Sequence, residues 1–165
     1  MIAAGHVDDM FVGFDVDIAV PVPSLANTTS RMPWRQHASL KSKQQNEVRR
    51  QLDRLAIKPT LPCRIQLVRV AWRMLDDDNL AGALKYVRDA VARWAHGLPE
   101  VVPLIHDGRA VLDRRGRLRM TRPAAPDGPN SGIEWMAPIQ DTRCRVCAAS
   151  RSRYEGVRVI IAPLG

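Results

Sequence analysis

The sequence has few aromatic residues, few cysteines and no long apolar run. Two phenylalanines, two tyrosines and four tryptophans occur among 165 residues, and the three cysteines cannot form a complete set of disulfide pairs. This cysteine usage is typical of a reducing compartment. No apolar run reaches the roughly 18 residues of a membrane span, and the N-terminus lacks the pattern of a signal peptide. We therefore expect an intracellular, cytoplasmic protein with no membrane partner.

Acidic residues are also scarce. The 17 acidic side chains face 25 basic ones, which gives a formal net charge of +8. This excess makes nucleic acid the first partner to consider, although anionic membranes and simple solubility stay open as explanations. The length and the apolar fraction of 45% suit one soluble domain with a real core.

The scarce carboxylates are concentrated at one place. Asp76, Asp77 and Asp78 are consecutive and are followed by Asn79. Adjacent carboxylates repel and raise one another's pKa unless a cation or proton intervenes, so the cluster indicates a divalent metal site. The alternative is that Asp77 or Asp78 caps the following helix, which explains one aspartate but not three.

The residues after this cluster have the periodicity of an amphipathic helix. At roughly 100° per residue, the apolar side chains fall within a stripe about 80° wide. The stripe consists of Leu80, Leu84, Val87, Val91 and Trp94. Lys85, Asp78 and Asp89 lie about 140°, 160° and 180° from Leu80, so the face that carries the polar chemistry is opposite the buried one. Gly97 and Pro99 end the helix.

The other elements predict an α+β domain whose mixed β-sheet is backed by two helices. A loop is expected at residues 21 to 38 and the first helix from about Leu40 to Ile57. The predicted strands are residues 14 to 20, 63 to 73, 133 to 140 and 156 to 163. Residues 98 to 131 are irregular and are interpreted as an insertion or flap, with a short basic hairpin that turns at Arg115 and Gly116.

The strand, the motif Asp-x-Asp-Asn-Leu and the helix with Lys-x-x-x-Asp together resemble the RusA family of Holliday-junction resolvases, particularly its phage and prophage-type members. The matching residues are Asp76, Asp78, Asn79, Leu80, Lys85 and Asp89. Three flanking segments also resemble the family: the proline-rich turn that ends at Asn27, the basic-aromatic pair Trp34 and Arg35, and the closing strand at 154 to 161. The resemblance covers most of the chain outside residues 98 to 131.

This resemblance implies a single RusA-like nuclease domain over residues 1 to 165 that acts as a homodimer. Such proteins are magnesium-dependent endonucleases of DNA recombination and repair that resolve four-way junctions by paired nicks. Asp76 and Asp78 would hold Mg²⁺, or Mn²⁺ in its place, and Lys85 would bind the scissile phosphate. Asp89 is a further catalytic candidate, but it could equally pair with Lys85 at i, i+4.

The sequence departs from the family pattern in two respects. Lys85 lies three residues further along the helix than in the shorter bacterial members, which is nearly one turn. The family also supplies a further aspartate from an Asp-Asp pair after this helix, and no such pair is present here. Asp127 is the first candidate for this metal ligand and Asp107 is its rival. If neither reaches the site, a catalytically inactive DNA-binding protein of the same fold is the alternative.

Basic and polar side chains upstream of the cluster form the predicted DNA-binding surface, with Trp34 stacking on an exposed base. This set consists of Asn27, Arg31, Trp34, Arg35, Lys41, Lys43, Arg49 and Asn79. The alternative for them is an ordinary solvated surface with a partly buried tryptophan.

Cys144 and Cys147 form a CxxC pair. A structural Zn²⁺ site would need Cys63 and a histidine as well, and no second pair is present. Incidental reduced thiols are the favoured interpretation, and a zinc-stabilised interaction module is the weakest alternative function.

Overall fold

A five-stranded mixed β-sheet forms the framework of the protein. The computed structural model describes residues 13–23, 32–71, 74–126, 128–142 and 155–164. Within these ranges the helices are α1 (Trp34–Leu52) and α2 (Asp77–Ala95). The strands are β1 (Phe14–Ile18), β2 (Cys63–Val70), β3 (Val102–Pro103), β4 (Ile105–His106), β5 (Arg109–Ala110), β6 (Met120–Thr121), β7 (Ile133–Trp135), β8 (Ile139–Asp141) and β9 (Gly156–Pro163). The predicted single α+β domain with a mixed sheet and two helices is confirmed.

Both parallel and antiparallel pairings occur around strand β2. Strand β9 lies between β1 and β2 and is antiparallel to both. On its other side β2 pairs in parallel with β7 near its start and with β8 near its end. The sequence predicts one strand over 133 to 140, whereas the structure has two. Pro138 lies between them and has no N–H group to donate to a strand ladder.

The core lies between the helices and one face of this sheet. Val157, Val159 and Ile161 alternate along β9 and are at most 1% exposed. The apolar stripe predicted for α2 is buried along its whole length, from Leu80 to Trp94. The predicted end of α2 is also confirmed, because Gly97 follows the helix with φ of +65°.

Helix α1 begins and ends earlier than the sequence predicts. It starts at Trp34 rather than near Leu40 and ends at Leu52 rather than Ile57. Pro33 immediately precedes it, and its carbonyl accepts hydrogen bonds from the N–H groups of Gln36 and His37 (2.9 and 3.2 Å). Proline is tolerated at a helix start because the first N–H groups have no partner within the helix. Trp34 and Arg35 are therefore on a helix and not in a loop.

The two helices pack side by side in the same direction. The hydroxyl of Tyr86 is 2.8 Å from His37 Nε2, and Arg49 Nη1 donates to the carbonyl of Leu98 (2.7 Å). The residues of each contact are 49 positions apart in the chain. A contact near the start of α1 therefore falls in the middle of α2, and a contact near the end of α1 falls just after the end of α2, as in a parallel pair. Neither helix has the length and apolar character needed to cross a bilayer, within the part of the chain that the structure describes.

The predicted flap contains two hairpins. Asp107 and Gly108 form the turn between β4 and β5 with φ of +49° and +73°, and glycine and aspartate are the residues that adopt such turns most readily. In the basic hairpin Leu112 bridges Leu118, and the turn contains Gly116 with φ of +74°. The hairpin predicted around residues 115 and 116 is confirmed.

Candidate metal centre and basic surface

The acidic cluster follows an edge where two parallel strands end together. Strand β2 pairs with β8 up to Val70 and Asp141, and the N–H of Ala71 donates to the carbonyl of Asp141 (3.2 Å). Gln140 then holds the next segment through both of its amide atoms. The N–H of Leu75 donates to Gln140 Oε1 (2.8 Å), and Gln140 Nε2 donates to the carbonyl of Leu75 (2.5 Å). The residue before the cluster is thereby fixed in place.

Arg69 supports Gln140 from within the sheet. Its Nη1 donates to Gln140 Oε1 (3.4 Å) and its Nε donates to the carbonyl of Val22 (3.1 Å). Arg69 is only 6% exposed, and this burial lowers the pKa of its guanidinium against the opposing effect of Glu155. A partly buried polar chain therefore connects the segment after β1 to the residue that precedes the acidic cluster.

Removing the Gln140 amide should destabilise the protein measurably. In Gln140→Leu both backbone groups of Leu75 lose their partners, so we expect a loss of about 1–3 kcal/mol in the free energy of unfolding, as measured by urea denaturation. Gln66→Leu is the matched control, because Gln66 on β2 donates a single exposed hydrogen bond to the carbonyl of Ala137 (3.1 Å). A loss no larger than that of the control would contradict the role assigned to Gln140.

Asp76 is the N-cap of helix α2. Its Oδ1 accepts from the N–H of Asn79 (3.0 Å), and its carbonyl accepts from the N–H of Leu80 (2.8 Å). The prediction that Asp77 or Asp78 would be the cap is therefore wrong, by one residue for Asp77 and by two for Asp78. Both of those residues lie in the first turn with exposed side chains, where the helix dipole favours negative charge.

Lys85 and Asp89 differ in their surroundings. Lys85 is exposed, whereas Asp89 is half-buried. Burial is the main cause of the raised pKa of Tyr86, and the negative charge of Asp89 adds to it. Burial lowers the pKa of Arg93, and the same charge partly offsets that shift. No ion pair joins Lys85 to Asp89 among the described residues, so the alternative i, i+4 pair is not formed. Asp89 instead lies beside Tyr86 and Arg93.

The described residues do not assemble a set of three metal ligands. Across them, no three acidic, histidine or cysteine side chains are close enough together to hold a metal ion. Asp107 is at a hairpin turn of the flap, 89% exposed, with its carboxylate 3.0 Å from His106 Nδ1. Asp127 lies outside the described residues, as do Asn27, Arg31, Cys144 and Cys147.

Asp141 is an acidic residue at this edge that the sequence analysis missed. It ends β8 beside Val70. The pKa of the Arg158 guanidinium is raised mainly by Asp17 and to a smaller extent by Asp15 and Asp141. Arg158 is bonded to Asp17 through Nε and Nη2 (2.8 and 3.2 Å). The only feature of the sequence that marks Asp141 is its position directly after the predicted strand 133 to 140. The parallel pairing of β8 with β2, which brings it beside Val70, leaves no local pattern in the sequence.

The predicted DNA-binding residues fall into two groups. Trp34 is 75% exposed, which contradicts the partly buried alternative, and the Arg35 guanidinium lies 5.7 Å from its ring centroid. Lys41 and Lys43 are exposed on the same helix, and the Lys41 ammonium lies 5.3 Å from the Tyr86 ring centroid. Arg49 is instead bound to Asp53 (2.7 Å) and to the Leu98 carbonyl, so its contacts are structural.

Cys63 is a core residue. It is 1% exposed, and burial raises the pKa of its thiol. Such a cysteine behaves as a small apolar side chain.

No protein-family model matches the chain, and neither a curated protein nor a solved structure matches it.

Proposed function

We propose that this protein is a metal-dependent, structure-selective DNA endonuclease of the RusA type, which resolves four-way junctions by paired nicks. The observation that carries the proposal is the exposed cluster Asp76, Asp77 and Asp78 at the start of α2 in a chain of net charge +8. A polyanion-binding protein has no electrostatic reason to concentrate negative charge unless a cation mediates between the carboxylates and a phosphate.

The donor set fits Mg²⁺. This ion prefers oxygen ligands and is commonly held by one or two carboxylates together with water and substrate phosphate, so Asp76 and Asp78 suffice as its protein ligands. When bound, Mg²⁺ supplies Lewis-acid activation at the phosphate. Gln140 and the N-cap hydrogen bond fix the backbone of Asp76, and Lys85 lies on the same helix face as Asp78 to contact the phosphate.

The N-terminal half of α1, from Trp34 to Lys43, provides the second part of the proposed DNA interface. Trp34 is exposed for stacking on an unpaired base, and Arg35, Lys41 and Lys43 are exposed for phosphate contacts. Paired nicks require two active centres, which a homodimer would supply. The proposal also implies a cytoplasmic location, where the DNA substrate is.

Cleavage of an end-labelled synthetic four-way junction tests this function. We expect paired nicks in Mg²⁺, none in EDTA, and none on a linear duplex of the same sequence. A tight junction complex without cleavage in either Mg²⁺ or Mn²⁺ would contradict the nuclease proposal.

That second outcome defines the other candidate function, a catalytically inactive DNA-binding protein of the same fold. Two observations favour it: Asp76 already serves as a helix cap, and the described residues contain no group of three metal-binding side chains.

A further inference from the structure

A cleft separates helix α1, helix α2 and the end of the flap at residues 120–125. Its volume is about 590 Å³, which is in the range of small-molecule sites. Among the described residues, three cationic side chains line it, Lys41 from α1, Arg93 from α2 and Arg122 from the flap, together with one carboxylate, that of Asp89. The lining charge is therefore positive.

Among the described residues no carboxylate forms an ion pair with Arg93 or Arg122, although the charge of the nearby Asp89 acts on Arg93. Arg122 bonds only neutral acceptors, Asn46 Oδ1 and Ser42 Oγ (3.4 Å to the latter), and Arg93 Nη1 is 3.5 Å from the Pro123 carbonyl. Arg93 is 7% exposed, and burial lowers the pKa of its guanidinium. A buried arginine is normally paired with an anion, so Arg93 has unused capacity to bind one, and the half-buried Arg122 lines the same cleft.

Gln45 has unmet hydrogen-bonding capacity at the same place. Its side chain lines the cleft and is 2% exposed, and neither Nε2 nor Oε1 has a hydrogen-bond partner within the described ranges. Buried side-chain amides are nearly always hydrogen-bonded. A ligand with both donors and acceptors would satisfy this amide.

Part of the wall of the cleft is apolar. This apolar wall consists of Ala38, Val101, Met120, Pro123, Ala124 and Ala125. A lining that is both cationic and apolar matches a ligand with an anionic group attached to a partly apolar body. Guanidinium groups bind phosphate in a bidentate geometry, which favours phosphate as the anionic group.

We infer that this cleft binds a nucleoside phosphate, with the phosphate on Arg93, Arg122 and Lys41 and the base against the apolar wall. Asp89, which lines it, is 11 residues from Asp78, or about 16 Å along α2, so the cleft is separate from the acidic cluster. The ligand is either a free nucleotide or the terminal nucleotide of a strand, since both present the same chemistry. The inference does not depend on nuclease activity.

Isothermal titration calorimetry in EDTA tests it with defined probes. Deoxyadenosine 5′-monophosphate should bind to the intact protein, inorganic phosphate more weakly, and deoxyadenosine not detectably. Lys41→Gln should weaken nucleotide binding about three- to tenfold, the range of a partly exposed charge-assisted contact. Lys58→Gln is the matched control: Lys58 is exposed beyond the end of α1 and does not line the cleft, so affinity should be unchanged.

Arg122 supplies a second test that separates charge from folding. Arg122→Gln should reduce affinity more than Lys41→Gln, and Arg122→Lys should recover part of it, with thermal melts confirming that both variants fold. A 5′-phosphorylated single-stranded hexanucleotide, compared with its 5′-hydroxyl form, shows whether the cleft binds a free nucleotide or the terminal nucleotide of a strand. Lys41-dependent binding of the phosphorylated strand without mononucleotide binding assigns the site to a strand end.

Nucleotide binding in this cleft is ruled out if neither the mononucleotide nor the phosphorylated strand binds at millimolar concentration, or if Lys58→Gln weakens binding as much as Lys41→Gln. Because no cleavage is measured, a failure of the nuclease proposal leaves this result unaffected.

Discussion

An Asp76→Asn variant is expected to fold normally but to lose metal-dependent junction cleavage by about 10²-fold or more, as judged from the loss of single groups that stabilise charge at active sites. Asparagine caps a helix as well as aspartate does, so the bond from the N–H of Asn79 is retained while the charge that would hold Mg²⁺ is removed. Asp76→Ala should lose the same activity and also about 1 kcal/mol of stability, because alanine cannot cap. Single-turnover cleavage and urea denaturation measure the two effects separately.

The neighbouring aspartates supply the controls. Asp78→Asn should lose cleavage as Asp76→Asn does, whereas Asp77→Asn makes the same charge change in the same turn at the variable position of the motif. We expect Asp77→Asn to retain activity within a few-fold. If Asp76→Asn cleaves like the wild type while Asp76→Ala is merely less stable, Asp76 is only a cap and the DNA-binding alternative is favoured.

Trp94→Ala is expected to cost about 3–5 kcal/mol in the free energy of unfolding. Trp94 is 0% exposed and belongs to the core that α2 shares with the sheet. Domains are typically stable by only about 5–15 kcal/mol, so the variant should keep about 0–12 kcal/mol and unfold at a clearly lower urea concentration than the wild type. Urea denaturation followed by far-ultraviolet circular dichroism measures the change.

Trp94→Phe tests the physical origin of that cost. The indole N–H of Trp94 has no hydrogen-bond partner among the residues that the structure describes. Phenylalanine removes this unmet donor while it keeps an aromatic ring, so the loss should be only about 1–2 kcal/mol, well below that of the alanine variant. Equal losses for the two variants would show that the indole N–H makes an important contact.

Local patterns predicted the helix that carries the acidic cluster. The apolar stripe of α2, its end before Gly97 and the alternation of β9 all appear as expected, because each depends on residues within a few turns or one strand. The basic flap hairpin was predicted for the same reason, since glycine marks its turn. The start of α1 was not predicted, because Pro33 and the polar residues after it also fit a loop.

An α+β domain with three consecutive aspartates at the start of a helix, in a strongly basic chain, follows from the sequence by itself. The reason is that charge and hydrophobic periodicity are local properties of the chain. Three features come from long-range contacts instead: Gln140 holds Leu75, Asp141 shares the edge where β2 ends, and Arg93 and Arg122 line one cleft. These contacts join residues between 29 and 71 positions apart in the chain. Such pairings depend on the parallel register of β2 with β8 and on the packing of α2 beneath the flap, neither of which leaves a periodic signal in the chain.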